Sequence, residues 1–181
     1  MKALVVYGTR WGGTVGVAER IGEEIGKAGF SVNVCDAKSK LSDVSKYNLI
    51  VVGSGIRADA WTKSALNFLD RNVEALRSKK TALFVSCQMA DREEEAKQRA
   101  KKKYLFQVAE QFCLTPIAFG FFGGFVDFKK SHGIVVDVMV RVNRRRLLAN
   151  GLDIRRVHDT RNWDYIGIWA NEVAKAALEA Y

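Results

Sequence analysis

The chain has 181 residues, of which 48% are hydrophobic and 27% charged, with a single proline and a net charge of +9. That balance is globular and excludes collagen-like and low-complexity classes, and no stretch reaches the ~18 uninterrupted apolar residues of a membrane-spanning helix. Cys35, Cys87 and Cys113 lie far apart without a Cys-x-x-Cys pair, and His132 and His158 stand alone, so neither a disulfide framework nor a zinc site is expected.

The length suits one domain over residues 1–181. The apolar start is too short for a secretory leader and runs straight into a glycine-rich turn, so a cytoplasmic protein is expected. In chain order, β-branched residues at 3–7 predict the first strand. It enters Tyr7-Gly8-Thr9-Arg10-Trp11-Gly12-Gly13-Thr14, which opens onto a helix with Val17, Ile21, Ile25 and Ala28 at helical spacing. Hydroxyls at Thr9 and Thr14, glycines that let the backbone curl inward, and the amides of a helix start together make a cradle for a terminal phosphate. The loop lacks the lysine of a nucleoside-triphosphatase loop, and its spacing is not G-x-G-x-x-G. A turn kept for chain geometry alone is the plain alternative.

A second strand is predicted at 31–35 and a third at 49–52, where Leu-Ile-Val-Val is continuous, as in a strand buried on both faces. The loop Gly53-Ser54-Gly55-Ile56-Arg57-Ala58-Asp59-Ala60-Trp61 follows, then a helix carrying Ala65, Leu66, Leu69, Val73 and Leu76. A fourth strand at 81–86 leads into Cys87-Gln88-Met89-Ala90. Residues 91–103 are nearly all charged, but acids come first and bases later, matching the helix dipole, with Glu93/Lys97 and Glu95/Arg99 as i,i+4 pairs. They read as the solvated start of a helix that continues through Tyr104, Val108 and Phe112. A nucleic-acid stripe would want the bases without the acids, so no nucleic-acid partner is expected. A fifth strand at 117–122 and a last helix with Ile166, Trp169, Val173 and Ala177 on one face complete the pattern. The alternation predicts an α/β fold with a doubly wound, five-stranded parallel sheet. The loops after strands one, three and four then gather where open α/β sheets bind ligands.

Residues 123–160 are an insertion that breaks the alternation. Ile134, Val136, Val138, Val140 and Val142 alternate as in a strand, while Ile134, Val135, Val138, Met139 and Val142 also form a helical stripe. Residues 125–161 hold nine Lys/Arg against four Asp, so they carry +5 of the +9. An apolar face followed by Arg144-Arg145-Arg146 suits an anionic membrane surface or an acidic partner. Packing on its own core with the arginines in water is the alternative. The same apolar face also suits a homodimer.

The first loop resembles the FMN phosphate loop of flavodoxins, (S/T)-x-T-G-x-T: Thr9, Gly12 and Thr14 match, and Trp11 stands where that family has threonine. With Ile56-Arg57, the basic insertion and Thr160-Arg161-Asn162-Trp163 before the last helix, nearly the whole chain resembles the flavodoxin-domain branch that contains the menaquinone-dependent protoporphyrinogen dehydrogenases. The resemblance implies a flavodoxin-like sheet of order 2-1-3-4-5 with FMN as cofactor. The first loop would hold it through Thr9, Arg10, Trp11, Gly12, Gly13 and Thr14. The second would contribute Ser54, Gly55, Ile56 and Arg57, with Trp61 as an aromatic wall, and the third Ser86, Cys87, Gln88 and Met89. Trp61 packing on the following helix is the alternative reading, and Cys87 reads as a buried small hydrophobe rather than a nucleophile.

In such proteins the flavin performs the redox chemistry, so no catalytic side chain is assigned. The resemblance implies an enzyme that oxidises a porphyrinogen and passes electrons to a quinone or another acceptor, with peripheral contact at the inner face of the cell membrane. Arg57, Arg144 and Arg145 would receive porphyrinogen carboxylates with bidentate geometry. A carrier that exchanges electrons with redox proteins and has no substrate of its own is the second reading. A basic interaction module without flavin, suggested by Trp11, is the third.

Overall fold

The computed structural model describes residues 1–41, 43–127, 138, 140–149 and 153–179. Runs of β-branched and aromatic residues form β1 (Lys2–Gly8), β2 (Ser31–Asp36), β3 (Leu49–Arg57), β5 (Lys80–Ser86) and β6 (Ala118–Phe122), and a two-residue β4 (Ala60–Trp61) folds back on β3. The five long strands pair in parallel in the order β2-β1-β3-β5-β6. With β4 set aside, this is the expected 2-1-3-4-5. Successive side chains of a strand point to opposite faces, so Ala3 and Val5 enter one core while Leu4 and Val6 enter the other.

Helices α1 (Val15–Lys27) and α7 (Trp163–Leu178) cover the first face, where Ile21, Ile25, Ile166 and Val173 pack with Phe84 and Phe122. On the opposite face lie α2 (Lys63–Arg71), α3 (Val73–Ser78), α4 (Glu94–Lys101) and α5 (Gln107–Gln111), which bury Phe68, Leu69, Leu76 and Val108. Each such side chain contributes roughly 1.5–3 kcal/mol when removed from water. The two cores fix the sheet from both sides, and with it the positions of the loops at its carboxyl edge.

The expected second helix is two helices. The chain leaves helical geometry at Asn72, whose side-chain amide donates to the Phe68 carbonyl at 2.8 Å and whose own carbonyl accepts from Leu76. In the third, residues Lys102–Phe106 widen into a π turn between α4 and α5. Such a turn leaves a carbonyl to spare, and the indole of Trp61 donates to the Tyr104 carbonyl at 2.7 Å. Glu95 pairs with Arg99 as expected, whereas Lys97 reaches Glu94 at 3.7 Å rather than Glu93. Glu93 instead starts the helix, its carbonyl accepting from the Lys97 amide.

Residues 53–61, expected as a loop, are mostly strand. β3 runs on to Arg57 and turns through Ala58 and Asp59, both with positive φ, into β4. Two consecutive left-handed residues match the right-handed twist of a hairpin. Asp59 is tied there by Lys103 and the Tyr104 hydroxyl, which hold its carboxyl below the usual range.

At the base of the insertion, β7 (Phe125–Asp127) and β8 (Val157–Asp159) pair as an antiparallel ribbon that the sequence does not announce. Residues 138 and 140–142 are helical, and α6 (Arg144–Ala149) continues them, so this part of the stripe is helix and not a strand of the sheet. Lys129, Lys130, His132 and residues 134–137 lie outside the described residues, as does Met139. Among the described residues no helix is long and apolar enough to cross a membrane, and no cluster of His, Cys, Asp or Glu is placed to hold a metal.

Candidate functional site

The carboxyl ends of β1, β3 and β5 and the entry to β7 enclose one cleft. Its volume is about 80 Å³. The loop after β1 is held by its own backbone and hydroxyl contacts. Gly12 sits at φ +82°, where a side chain is strained, and its amide donates to Thr9 Oγ1 at 3.0 Å while its carbonyl accepts from the Val15 amide at 3.1 Å. The Thr9 hydroxyl therefore accepts within the loop and keeps its proton for a ligand. Thr14 is buried at the start of α1, and its hydroxyl caps no amide of its own helix. It faces Gly55 instead, where a Cβ would stand 2.7 Å from Oγ1. No acid occupies the first turn of this 13-residue helix, so the partial positive charge of its free amides faces the cleft uncompensated.

Arg161 holds this loop from behind. Its guanidinium donates to the Gly13 carbonyl at 3.1 Å, forks onto Asp159 at 2.6 and 2.8 Å, and lies between the rings of Phe125 and Trp163, 4.8 and 4.6 Å from their centroids. The Asp159 carboxyl is held below its ordinary range chiefly by hydrogen bonding to Arg161. The Thr160-Arg161 stretch that the sequence singled out before the last helix is thus the strap that ties the insertion's base to the first loop.

In the second loop Ser54 is fully buried. Its Oγ donates to the Gly55 carbonyl at 2.9 Å and accepts from the Thr62 amide at 2.9 Å, while Thr62 Oγ1 caps α2 by accepting from Ala65. The Arg57 guanidinium lies 5.1 Å from the centroid of the Trp11 ring, so this cation and a 39% exposed indole frame the mouth together. In the third loop Ser86 Oγ donates to the Gly123 carbonyl at 2.8 Å, and the Cys87 amide donates to Phe122 at 2.9 Å. A Cβ on Gly124 would stand 2.9 Å from the Cys87 carbonyl carbon, so the start of the insertion can lie flat on this loop only as glycine. The Nε2 of Gln88, on the wall of the cleft, is buried and without a protein partner among the described residues. Burial pushes the Cys87 thiol up to about 11, which leaves it a neutral packing group at neutral pH.

Of the residues expected at the cofactor, Thr9, Arg10, Trp11, Gly13, Thr14, Gly55, Ile56, Arg57, Ser86, Cys87 and Gln88 line the cleft. Gly12, Ser54, Trp61 and Met89 do not. Gly12 shapes the first turn, Ser54 is used up behind the loop, and Met89 packs against the core. Trp61 lies in the β4 hairpin, buried and bonded to the Tyr104 carbonyl, outside the residues that line this cleft. The sequence reading missed Thr62, Gly124, Phe125 and Val126. The pair Gly123-Gly124 directly after a strand was the signal that could have found the last three.

This geometry defines a class: an open parallel α/β protein whose ligand cleft lies between β1 and β3, where the strand order reverses. The sequence profile described as "Flavodoxin domain" matches residues 4–141, and the chain belongs to that family. Among solved structures it is similar to a flavodoxin from the domain Archaea (18% identity, 98% of this chain and 99% of that one, TM-score 0.59). It is also similar to oxidised flavodoxin 1 from Bacillus cereus (14% identity, 100% and 99%, TM-score 0.57). A third likeness is to a flavoprotein in complex with FMN from Lactobacillus acidophilus (17% identity, 66% and 92%, TM-score 0.51). At these identities the likeness is one of fold. No curated protein sequence matches the chain.

Proposed function

We propose that the chain is an FMN-binding electron-transfer flavoprotein, and more narrowly an oxidoreductase that takes electrons from a carboxylate-bearing, porphyrinogen-type substrate and passes them to a quinone or other acceptor. The observation that carries FMN is the meeting, inside one cleft, of the first loop's hydroxyls and helix-start amides with a buried Gln88 Nε2 that has no partner among the described residues. A buried amide donor without a partner is costly unless a ligand or water satisfies it. The residues fit the group. Thr9, Thr14 and the amides opening α1 would hold the phosphate, and Gln88 with the backbone of the third loop would face the ring. Bound FMN supplies hydride and single-electron chemistry. The chain's own part is to bind, orient and partly exclude water, and Cys87, the thiol on the cleft wall, is kept neutral by burial.

The narrower substrate reading is supported by the chain's basic balance and by Arg10 and Arg57 at the mouth, neither of them ion-paired among the described residues. A carrier without its own substrate is the competing reading, favoured by the flavodoxins among the similar structures. One experiment separates them. FMN is added to the purified protein, free flavin is removed, and protoporphyrinogen is added without oxygen. Loss of the bound flavin's visible absorbance is expected. Bound flavin that keeps its absorbance would leave the carrier reading, and absence of bound flavin would overturn both.

A further inference from the structure

A second cleft, of about 740 Å³, adjoins the first and shares Thr9, Arg10, Arg57 and Thr62 with it. Its lining includes Arg10, Lys38, Arg57 and Lys63 and no carboxylate, and its apolar part comes from Ala58, Ala60, Trp61 and Leu66. Among the described residues Arg20, Arg77, Arg99, Lys103, Arg155 and Arg161 sit in ion pairs. None of the four lining cations is ion-paired among the described residues. Of the two acids nearby in sequence, only Asp59 is paired with a cation among the described residues. Asp36 accepts from the Lys38 backbone amide at 2.8 Å, and Asp59 is held by Lys103 and Tyr104. Four like charges around one concavity repel each other, and such an arrangement raises the local concentration of anions. A lining both apolar and cationic selects an anion with an apolar body over a bare inorganic one.

We propose that this cleft, framed by Arg10, Lys38, Arg57 and Lys63 beside Trp61 and Leu66, binds an organic polyanion with an apolar body and holds it against the mouth of the flavin cleft. Arg10 and Arg57 reach both clefts, so an occupant lies beside whatever fills the first. The proposal deepens the substrate class given above. Only its link to electron transfer rests on that reading, since anion binding is measurable with or without flavin.

The test is calorimetric titration of pyrene tetrasulfonate into the flavin-treated protein, with pyrophosphate as the polyanion lacking an apolar body. Flavin content of the same sample is read by absorbance. The pyrene is expected to bind one per chain and more tightly than pyrophosphate. Lys38→Gln with Lys63→Gln should weaken it about tenfold, the effect of losing two exposed charges, while Lys175→Gln on α7 leaves it within twofold. Circular dichroism confirms that the variants fold. Equal loss in the Lys175 variant, affinity no better than that of pyrophosphate, or no binding would each overturn the proposal. Pyrene binding by protein that fails to take up flavin would uphold this cleft and sink the proposed function instead.

Discussion

Removing the Arg161 side chain is expected to damage both stability and the first loop. Its side chain is only 13% exposed, and it joins Gly13, Asp159 and two aromatic rings in one contact set. A hydrogen bond to a charged group contributes about 1.5–3 kcal/mol, and each ring contact about 0.5–1 kcal/mol. These terms overlap, so Arg161→Ala should cost about 3 kcal/mol, measured by denaturant unfolding. Arg161→Lys keeps the charge but not the fork, and should recover less than half of the loss. The pH dependence gives a second readout. Asp159 titrates below its ordinary 3.8 when folded because Arg161 bonds its carboxylate. A carboxyl with a lowered folded pKa adds stability that is present above the unfolded pKa and is lost as pH falls through the folded one. The acid limb of the stability profile below about pH 4 should therefore be shallower in Arg161→Ala than in the parent. A variant within about 0.5 kcal/mol of the parent, the scatter of neutral surface changes, with an unchanged acid limb, would refute this account of the strap.

Other perturbations read other parts of the site. Gly124→Ala puts a Cβ 2.9 Å from the Cys87 backbone, so it should cost about 1–3 kcal/mol and weaken flavin binding in a fluorescence-quenching titration. Trp61→Phe removes the indole donor from a buried carbonyl, so it should cost about 1–3 kcal/mol and change flavin affinity less than threefold, whereas a ring-stacking wall would cost far more. Under a thiol reagent at mildly alkaline pH, exposed Cys113 should react first. Cys35 and Cys87, both pushed up to about 11 by burial, should lag, and Cys113→Ser should remove the fast phase. Val142 is 77% exposed beside Arg141, Arg144 and Arg145, so flotation with anionic vesicles should carry the protein and neutral vesicles should not. Equal recovery with both would contradict membrane contact through the basic insertion.

The sheet was legible because continuous β-branched runs and a helical period between them are direct consequences of burial, and the order of the five long strands agrees with the sequence reading. The first loop was legible because Gly12, Thr9 and Thr14 are residue types whose backbone freedom and hydroxyls have a local use. What escaped depends on partners distant in sequence. Trp61 is bonded to a carbonyl 43 residues away, and Gly123-Gly124 matters only because the chain returns onto the third loop. The π turn at Lys102–Phe106 leaves no trace in an i,i+4 pattern of charges and apolar residues. The residues most useful to a reader of the sequence alone were those whose role is set by their own backbone.

The most direct test of the account is a parallel titration of the protein with FMN and with riboflavin, followed by flavin fluorescence. In the proposed function the first loop holds the phosphate, and each charge-assisted hydrogen bond to it contributes about 1.5–3 kcal/mol, so FMN should bind at least about tenfold more tightly than riboflavin, one per chain. Equal affinities, or no binding of either, would contradict the claim that this cleft holds FMN by its phosphate.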